Sequence, residues 1–83
     1  MELKKYYFTY GSDGQDFVGG WTEVEASDID KACEIFREHH PDLYEGVLNC
    51  STVYSEEQFK RTKMYAGGNF GFRCHEALRE ETK

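Results

Sequence analysis

The amino-terminal quarter of the chain alternates apolar and polar residues in two stretches, as half-buried β-strands do. Residues 3–10 carry aromatic side chains at every second position, namely Tyr6, Phe8 and Tyr10. Residues 17–26 end in a similar alternation of Thr22, Val24 and Ala26 with two glutamates. Between them, residues 11–14 are rich in turn-forming Gly, Ser and Asp. The pattern predicts a β-hairpin.

The next stretch changes to helical periodicity. Residues 28–40 place one apolar stripe at helical spacing, consisting of Ile29, Ala32, Cys33, Phe36 and His40. Ser27 is a suitable N-cap, and Pro41 cannot continue a helix. We therefore predict an amphipathic helix over 28–40 that packs its stripe on the sheet.

The second half of the chain is predicted to form shorter elements. Residues 47–54 are rich in strand formers, and Ser55–Gln58 has the form of a capping box that begins a helix over 56–65. Residues 69–76 alternate as in a fourth strand, and residues 76–82 have helical propensity. We therefore expect a short strand followed by a frayed helical tail.

This order, ββαβα(β), predicts an α+β fold with a small, mainly antiparallel sheet and helices on one face. A chain of 83 residues without a linker or repeat is expected to be a single domain, 1–83. No apolar run approaches the ~18 residues that span a bilayer. The three widely spaced cysteines are typical of reduced thiols, so we expect a cytoplasmic protein.

Charge is distributed unevenly along the chain. Residues 1–57 hold 13 acidic and 4 basic side chains, whereas residues 58–83 hold 3 acidic and 6 basic ones. The acidic part disfavours direct nucleic-acid binding and favours a protein partner with a basic surface. The cationic end would be left for an anion or for homo-oligomer formation. Ordinary solvated helix faces are the simpler alternative.

Five carboxylates are candidates for an acidic binding face: Glu23, Glu25, Asp30, Glu34 and Glu38. The first two share one face of a predicted strand. The other three recur at i, i+4 and i+8 of the predicted helix, which places neighbours ~6 Å apart. Carboxylates in such a row can imitate the phosphates of a nucleic acid. The alternative is a helix face that only contacts water.

A glycine-aromatic segment, residues 67–71, offers a second kind of site. Glycines allow the backbone to approach a flat ligand closely while Phe70 stacks on it. The nearby side chains that would complete an anionic nucleotide site are Tyr65, Arg73 and Lys60. The alternative is a helix end followed by a packed strand.

Candidate chemistry is sparse. The Cys and His spacings lack the close pairs of structural zinc sites, so no metal or other cofactor is expected. A catalytic group drawn from Cys50 or Cys74 with His75 and Glu76 is disfavoured, because neighbours in a strand point to opposite faces. We predict a binding protein and not an enzyme.

Four segments carry a resemblance: YYFTYG from Tyr6, FVGGWTEVEA from Phe17, LNCSTVY from Leu48 and NFGFRCHE from Asn69. They are similar to small uncharacterised proteins encoded by phages and mobile elements of gut bacteria. This resemblance implies a setting in which small acidic proteins inhibit host defence, as anti-CRISPR proteins do, or bind nucleotide immune signals as sponges. It assigns no role to any single residue.

Overall fold

A computed structural model describes residues 2–10, 20–62 and 74–81 of the chain. Their secondary structure follows the order β-β-α-β-α-β, which confirms the predicted α+β class. The elements are β1 (Lys4–Thr9), β2 (Trp21–Ala26), α1 (Ile29–His39), β3 (Thr52–Ser55), α2 (Glu56–Lys60) and β4 (Cys74–Arg79).

The four strands form one sheet in the order β3-β1-β2-β4. β1 is antiparallel to both of its neighbours, with Tyr6 opposite Val24 of β2 and Phe8 opposite Val53 of β3. β4 runs parallel to β2 and places Leu78 beside Val24. The sheet is therefore mixed, with antiparallel pairing on both sides of β1.

The main core lies between α1 and one face of the sheet. The ring of Phe36 stacks on Phe8 with centroids 4.3 Å apart, and both side chains are fully buried. Tyr6 and Tyr10 point to the same face because side chains alternate along a strand. The alternating aromatic side chains of β1 thus form the sheet surface on which α1 packs, as the sequence predicts.

The opposite sheet face carries a smaller aromatic cluster. Tyr7 stacks on Phe59 of α2 at 4.2 Å, and Trp21 meets the same ring edge-on at 4.9 Å. Since Tyr7 and Phe8 are neighbours in β1, α1 and α2 contact opposite faces of that strand. The predicted placement of both helices on one face is not confirmed.

The N-cap and the buried face of α1 both differ from the prediction. The N-cap is Asp28 and not Ser27, because the Asp28 carboxylate accepts the backbone N–H of Lys31 at 2.8 Å. The buried stripe contains Ile35, whereas Ile29 is 47% exposed at the first turn. The stripe therefore lies slightly around the helix from the predicted position.

The predicted third strand, 47–54, is wrong in its first half. β3 covers Thr52–Ser55, while Tyr44 and Val47 form a separate bridge across a tight turn. Gly46 in that turn has a φ of 81°, which favours glycine and breaks the extended chain. Strand pairing with β1 begins only where Ser51 donates its N–H to Thr9 at 2.7 Å.

The capping box is confirmed, but the end of the helix that it begins and the predicted helical tail need correction. Ser55 and Gln58 exchange hydrogen bonds of 3.1 and 3.3 Å, and α2 then ends at Lys60, well before residue 65. Residues 76–79 belong to β4, so the helical tail predicted there is wrong. Pairing along the open edge of β2 outweighs their local helical propensity.

Candidate binding surface

A groove of about 310 Å³ runs between α1 and β4. Its floor contains the apolar side chains of Ile35 and Leu78, and its walls are mostly charged. We call it the α1–β4 groove; its lining residues are Lys31, Glu34, Ile35, Glu38, His39, Leu78, Arg79, Glu80 and Glu81.

Negative charge predominates in this groove, with four carboxylates against Lys31 and Arg79. Lys31 pairs with Glu34 at 3.3 Å, and this hydrogen bond and charge raise the pKa of the lysine. Arg79 faces Glu25 of the neighbouring strand at 3.9 Å. Within the described ranges, Glu34 is the one carboxylate of the four that has an ion pair. The groove therefore keeps uncompensated negative charge above an apolar floor.

Glu80 is held in place by β2 and by Ser27, the residue that follows this strand. Its backbone N–H donates to the carbonyl of Glu25 at 2.8 Å, which continues the strand pairing past the end of β4. Its carboxylate accepts both the N–H and the hydroxyl of Ser27, at 2.9 and 3.0 Å. Ser27, the predicted N-cap, thus binds a groove carboxylate instead of capping the helix.

The structure divides the predicted acidic face. Glu34 and Glu38 line the groove, and Asp30 is exposed in the first turn of the same helix. Glu23 and Glu25 lie on the other face of the sheet from α1, since they alternate with the core residues of β2. Glu23 faces Lys5 at 3.9 Å. The five carboxylates therefore do not form one surface.

Sequence reasoning missed Glu80 and Glu81 as partners of the helix carboxylates. Both lie in the segment that is predicted as a frayed helical tail, and that prediction does not place them beside α1. The parallel pairing of β4 with β2 brings them to the groove. A strand predicted over residues 74–79 would have placed Glu80 and Glu81 at the end of a sheet strand.

A second groove of about 390 Å³ lies at the start of β1, on another part of the surface. It also contains four carboxylates, but three of them face cations. Glu57 pairs with Arg61 at 3.0 Å, Glu56 with Lys60 at 3.8 Å, and Glu25 with Arg79 at 3.9 Å. Its charge is therefore compensated to a greater extent than that of the α1–β4 groove.

The predicted nucleotide site falls mostly outside the described residues. Tyr65, Phe70 and Arg73 are among the residues whose structure is not described. Lys60 is exposed at the end of α2 and faces Glu56. The nucleotide hypothesis therefore stays a prediction.

A largely buried polar network joins the end of α1 to β2, β4 and the residue that follows β1. Thr22 donates its hydroxyl hydrogen to Glu76 at 2.8 Å, so Tyr10, in contact with Thr22, must donate its own. His40 hydrogen-bonds the same Glu76 carboxylate. Sequence reasoning missed this network, because its members are dispersed over the chain.

The pKa of Glu76 reflects competing effects in this network. Burial would raise the pKa, but the hydrogen bonds from His40 and Thr22, with the charge of His40, outweigh burial and lower it. Tyr10 and Thr22 are fully enclosed by protein. The network therefore holds β4 against the core.

Glu76→Gln should weaken this domain in a pH-dependent way. The folded protein keeps the carboxylate charged to a lower pH than the unfolded chain, whose ordinary pKa is 4.5. The stabilisation is therefore complete above that value and is lost as pH falls through the lower folded value. Urea unfolding at pH 6 and pH 3 should show a difference between wild type and variant that shrinks at pH 3. A difference that is the same at both pH values would contradict this role.

The two described thiols are poorly suited to nucleophilic chemistry. Burial, with a contribution from nearby Cys33, raises the pKa of Cys50 to about 11. Burial also raises the pKa of Cys33. An activated cysteine shows the opposite direction. The side chains of Cys74 and His75, considered above as a catalytic pair, lie outside the described part.

The described ranges also bear on metal binding and on membrane insertion. No group of three or more His, Cys, Asp or Glu side chains there has the arrangement to hold a metal ion. No helix in those ranges combines the length and apolar character needed to cross a membrane.

Comparisons with protein-family models, with curated proteins and with solved structures found no match to this chain.

Proposed function

We propose that this domain is a non-catalytic binding protein that docks its α1–β4 groove on the basic surface of a nucleic-acid-handling protein. In the phage or mobile-element setting that the sequence resemblance implies, it acts in the host cytoplasm as an inhibitor of a defence system, as anti-CRISPR proteins do. The observation that carries the proposal is the uncompensated acidic charge of the groove.

The groove offers both parts of a typical recognition surface for basic side chains. Ile35 and Leu78 can contact the aliphatic stem of a lysine or arginine, while Glu38 and Glu81 face its charged head. Hydrogen-bonded pairs between arginine and carboxylate add orientation as well as attraction. A protein that binds nucleic acid presents such cations in rows.

The spacing within α1 supports phosphate imitation. Glu34 and Glu38 are one helical turn apart, which separates them by ~6 Å along the helix. Both are exposed, so a partner can reach them. Direct binding of nucleic acid by this surface is disfavoured by the same charge.

Affinity capture with three forms of the protein tests this proposal. Wild type would be compared with Glu34→Lys/Glu38→Lys, the groove variant, and with Glu2→Lys/Glu57→Lys, the control variant. The control makes the same change in net charge at the second groove. Quantitative mass spectrometry of proteins retained from host bacterial lysate at 0.05 M salt is the measurement. We expect a nucleic-acid-handling protein to be lost with the groove variant and kept with the control.

Equal retention of every captured protein by the wild type and the groove variant would contradict the proposal. Loss with the control variant and retention with the groove variant would transfer the binding site to the second groove. Circular dichroism should first show that both variants are folded, since all four glutamates are exposed.

A further inference from the structure

A short turn that follows α1 exposes an unusual amount of apolar surface. Leu43, Tyr44 and Val47 are 69%, 76% and 58% exposed, and they lie within five residues of one another. Among the described residues, one other large apolar side chain, Ile29, is exposed to a comparable degree. We call residues 43–47 the apolar turn.

The apolar turn has a defined conformation. Val47 donates its N–H to the carbonyl of Tyr44 at 3.0 Å, and Gly46 takes the positive φ that closes the turn. Tyr44 and Val47 are bridge partners, so their side chains lie beside each other. Arg37 of α1 holds Asp42 through its Nε atom at 3.0 Å. The backbone of the turn therefore loses little conformational entropy on binding.

Exposed apolar side chains on an ordered element are typical of an interface. Tyrosine is enriched among the residues that dominate binding energy, because it buries a large rigid ring and retains a polar end. Leu48 and Cys50, which follow the turn, pack against the main core. This segment therefore contacts the main core through Leu48 and Cys50, and its three exposed side chains remain accessible to a partner.

Charge indicates which surface the turn contacts. Residues 37–47 contain three carboxylates, Glu38, Asp42 and Glu45, and one cation, Arg37. Arg37 pairs with Asp42, so within the described ranges the other two carboxylates have no ion pair. A second copy of this chain would set the same acidic rim against itself, because symmetric dimers use one patch twice. A partner with cations around an apolar socket meets no such repulsion.

We infer that the apolar turn inserts into an apolar socket rimmed by lysine or arginine on the same protein partner. This inference rests on the proposed function and extends its contact surface. Leu43 follows His39 of the groove by four residues, so their Cα atoms are at most ~14 Å apart. One partner surface of ordinary size can cover both.

Two synthetic helical peptides test the inference independently of the partner's identity. One carries a leucine stripe and a lysine face, and the other replaces each leucine with serine at the same charge. We expect the leucine peptide to bind the ¹⁵N-labelled protein at least tenfold more tightly and to shift the amide signals of residues 43–47. Tyr44→Ser should remove that advantage, whereas Ile29→Ser, the matched control at the other end of α1, should keep it.

The variants separate failure of this inference from failure of the proposed function. If both the proposed function and this inference are correct, Tyr44→Ser should bind the two peptides equally tightly. The groove variant should then bind both peptides more weakly than wild type does. If the groove variant binds both peptides as tightly as wild type while Tyr44→Ser loses the preference for the leucine peptide, the result supports the inference about the apolar turn and contradicts the proposed role of the groove. Equal affinity of the wild-type protein for the two peptides would overturn the inference. So would a wild-type dimer in analytical sedimentation that becomes a monomer in Tyr44→Ser.

Discussion

Phe36→Ala should destabilise this domain by about 3–5 kcal/mol, the usual cost of removing a buried phenylalanine. The Phe36 ring is fully buried, stacks on Phe8, and contacts Tyr10 and His40. A domain of this size has a free energy of unfolding of roughly 4–12 kcal/mol. At the lower end of this range, the loss would unfold a large share of the molecules. Urea unfolding followed by circular dichroism measures it.

Ile29→Ala is the matched control for that experiment. It truncates an apolar side chain in the same helix, but one that is 47% exposed, so its free energy of unfolding should change by less than about 1 kcal/mol. A Phe36→Ala variant as stable as Ile29→Ala would show that α1 does not pack on the sheet through Phe36.

The second large effect concerns the rate of association with the captured partner. Long-range attraction between an acidic groove and a basic surface accelerates encounter, and salt screens it as the Debye length falls from ~30 Å at 0.01 M to ~10 Å at 0.1 M. The groove variant, Glu34→Lys/Glu38→Lys, should therefore associate about tenfold or more slowly than wild type at 0.01 M salt. The difference in association rate between the groove variant and wild type should be smaller at 0.3 M salt. Biolayer interferometry gives both rate constants.

The control variant, Glu2→Lys/Glu57→Lys, distinguishes position from total charge in the same measurement. It changes the net charge by the same amount, so an effect of total charge alone would slow both variants equally. We expect its association rate to stay within about threefold of wild type. Equal slowing of the two variants would show that the groove has no special role.

Much of the fold could be predicted from local patterns. The period-two aromatics of β1, the helical stripe around Phe36 and the capping box at Ser55 each depend on residues close in sequence. Such signals are visible without knowledge of the partner elements. The α+β class and the order of elements follow from them.

The errors arise where a distant strand, or the backbone conformation of one neighbouring residue, overrides the local strand or helix propensity. Residues 76–79 prefer a helix by composition, but the edge of β2 recruits them into a parallel strand. Val47 is a strong strand former, yet the positive φ at Gly46 holds it in a turn, away from β1. Local propensity does not report either effect.

The candidate site was only half predictable for the same reason. The helix spacing places Glu34 and Glu38 on one side of α1, and the strand alternation places Glu23 and Glu25 opposite the core residues of β2. Neither pattern by itself shows that the two sets of carboxylates lie on different surfaces. The carboxylates that complete the groove, Glu80 and Glu81, come from the misassigned tail. Buried contacts such as Thr22 with Glu76 span 54 residues and leave no sequence pattern.

Zero-length carbodiimide cross-linking of the complex tests the central claim most directly, because it joins only carboxylates and lysines that are in contact. Mass spectrometry of the digested complex would identify the joined residues. Docking through the α1–β4 groove predicts links from partner lysines to Glu38 and Glu81, with Glu34 and Glu80 as further positions. Links confined to Glu2, Glu56 and Glu57 of the second groove would contradict the claim.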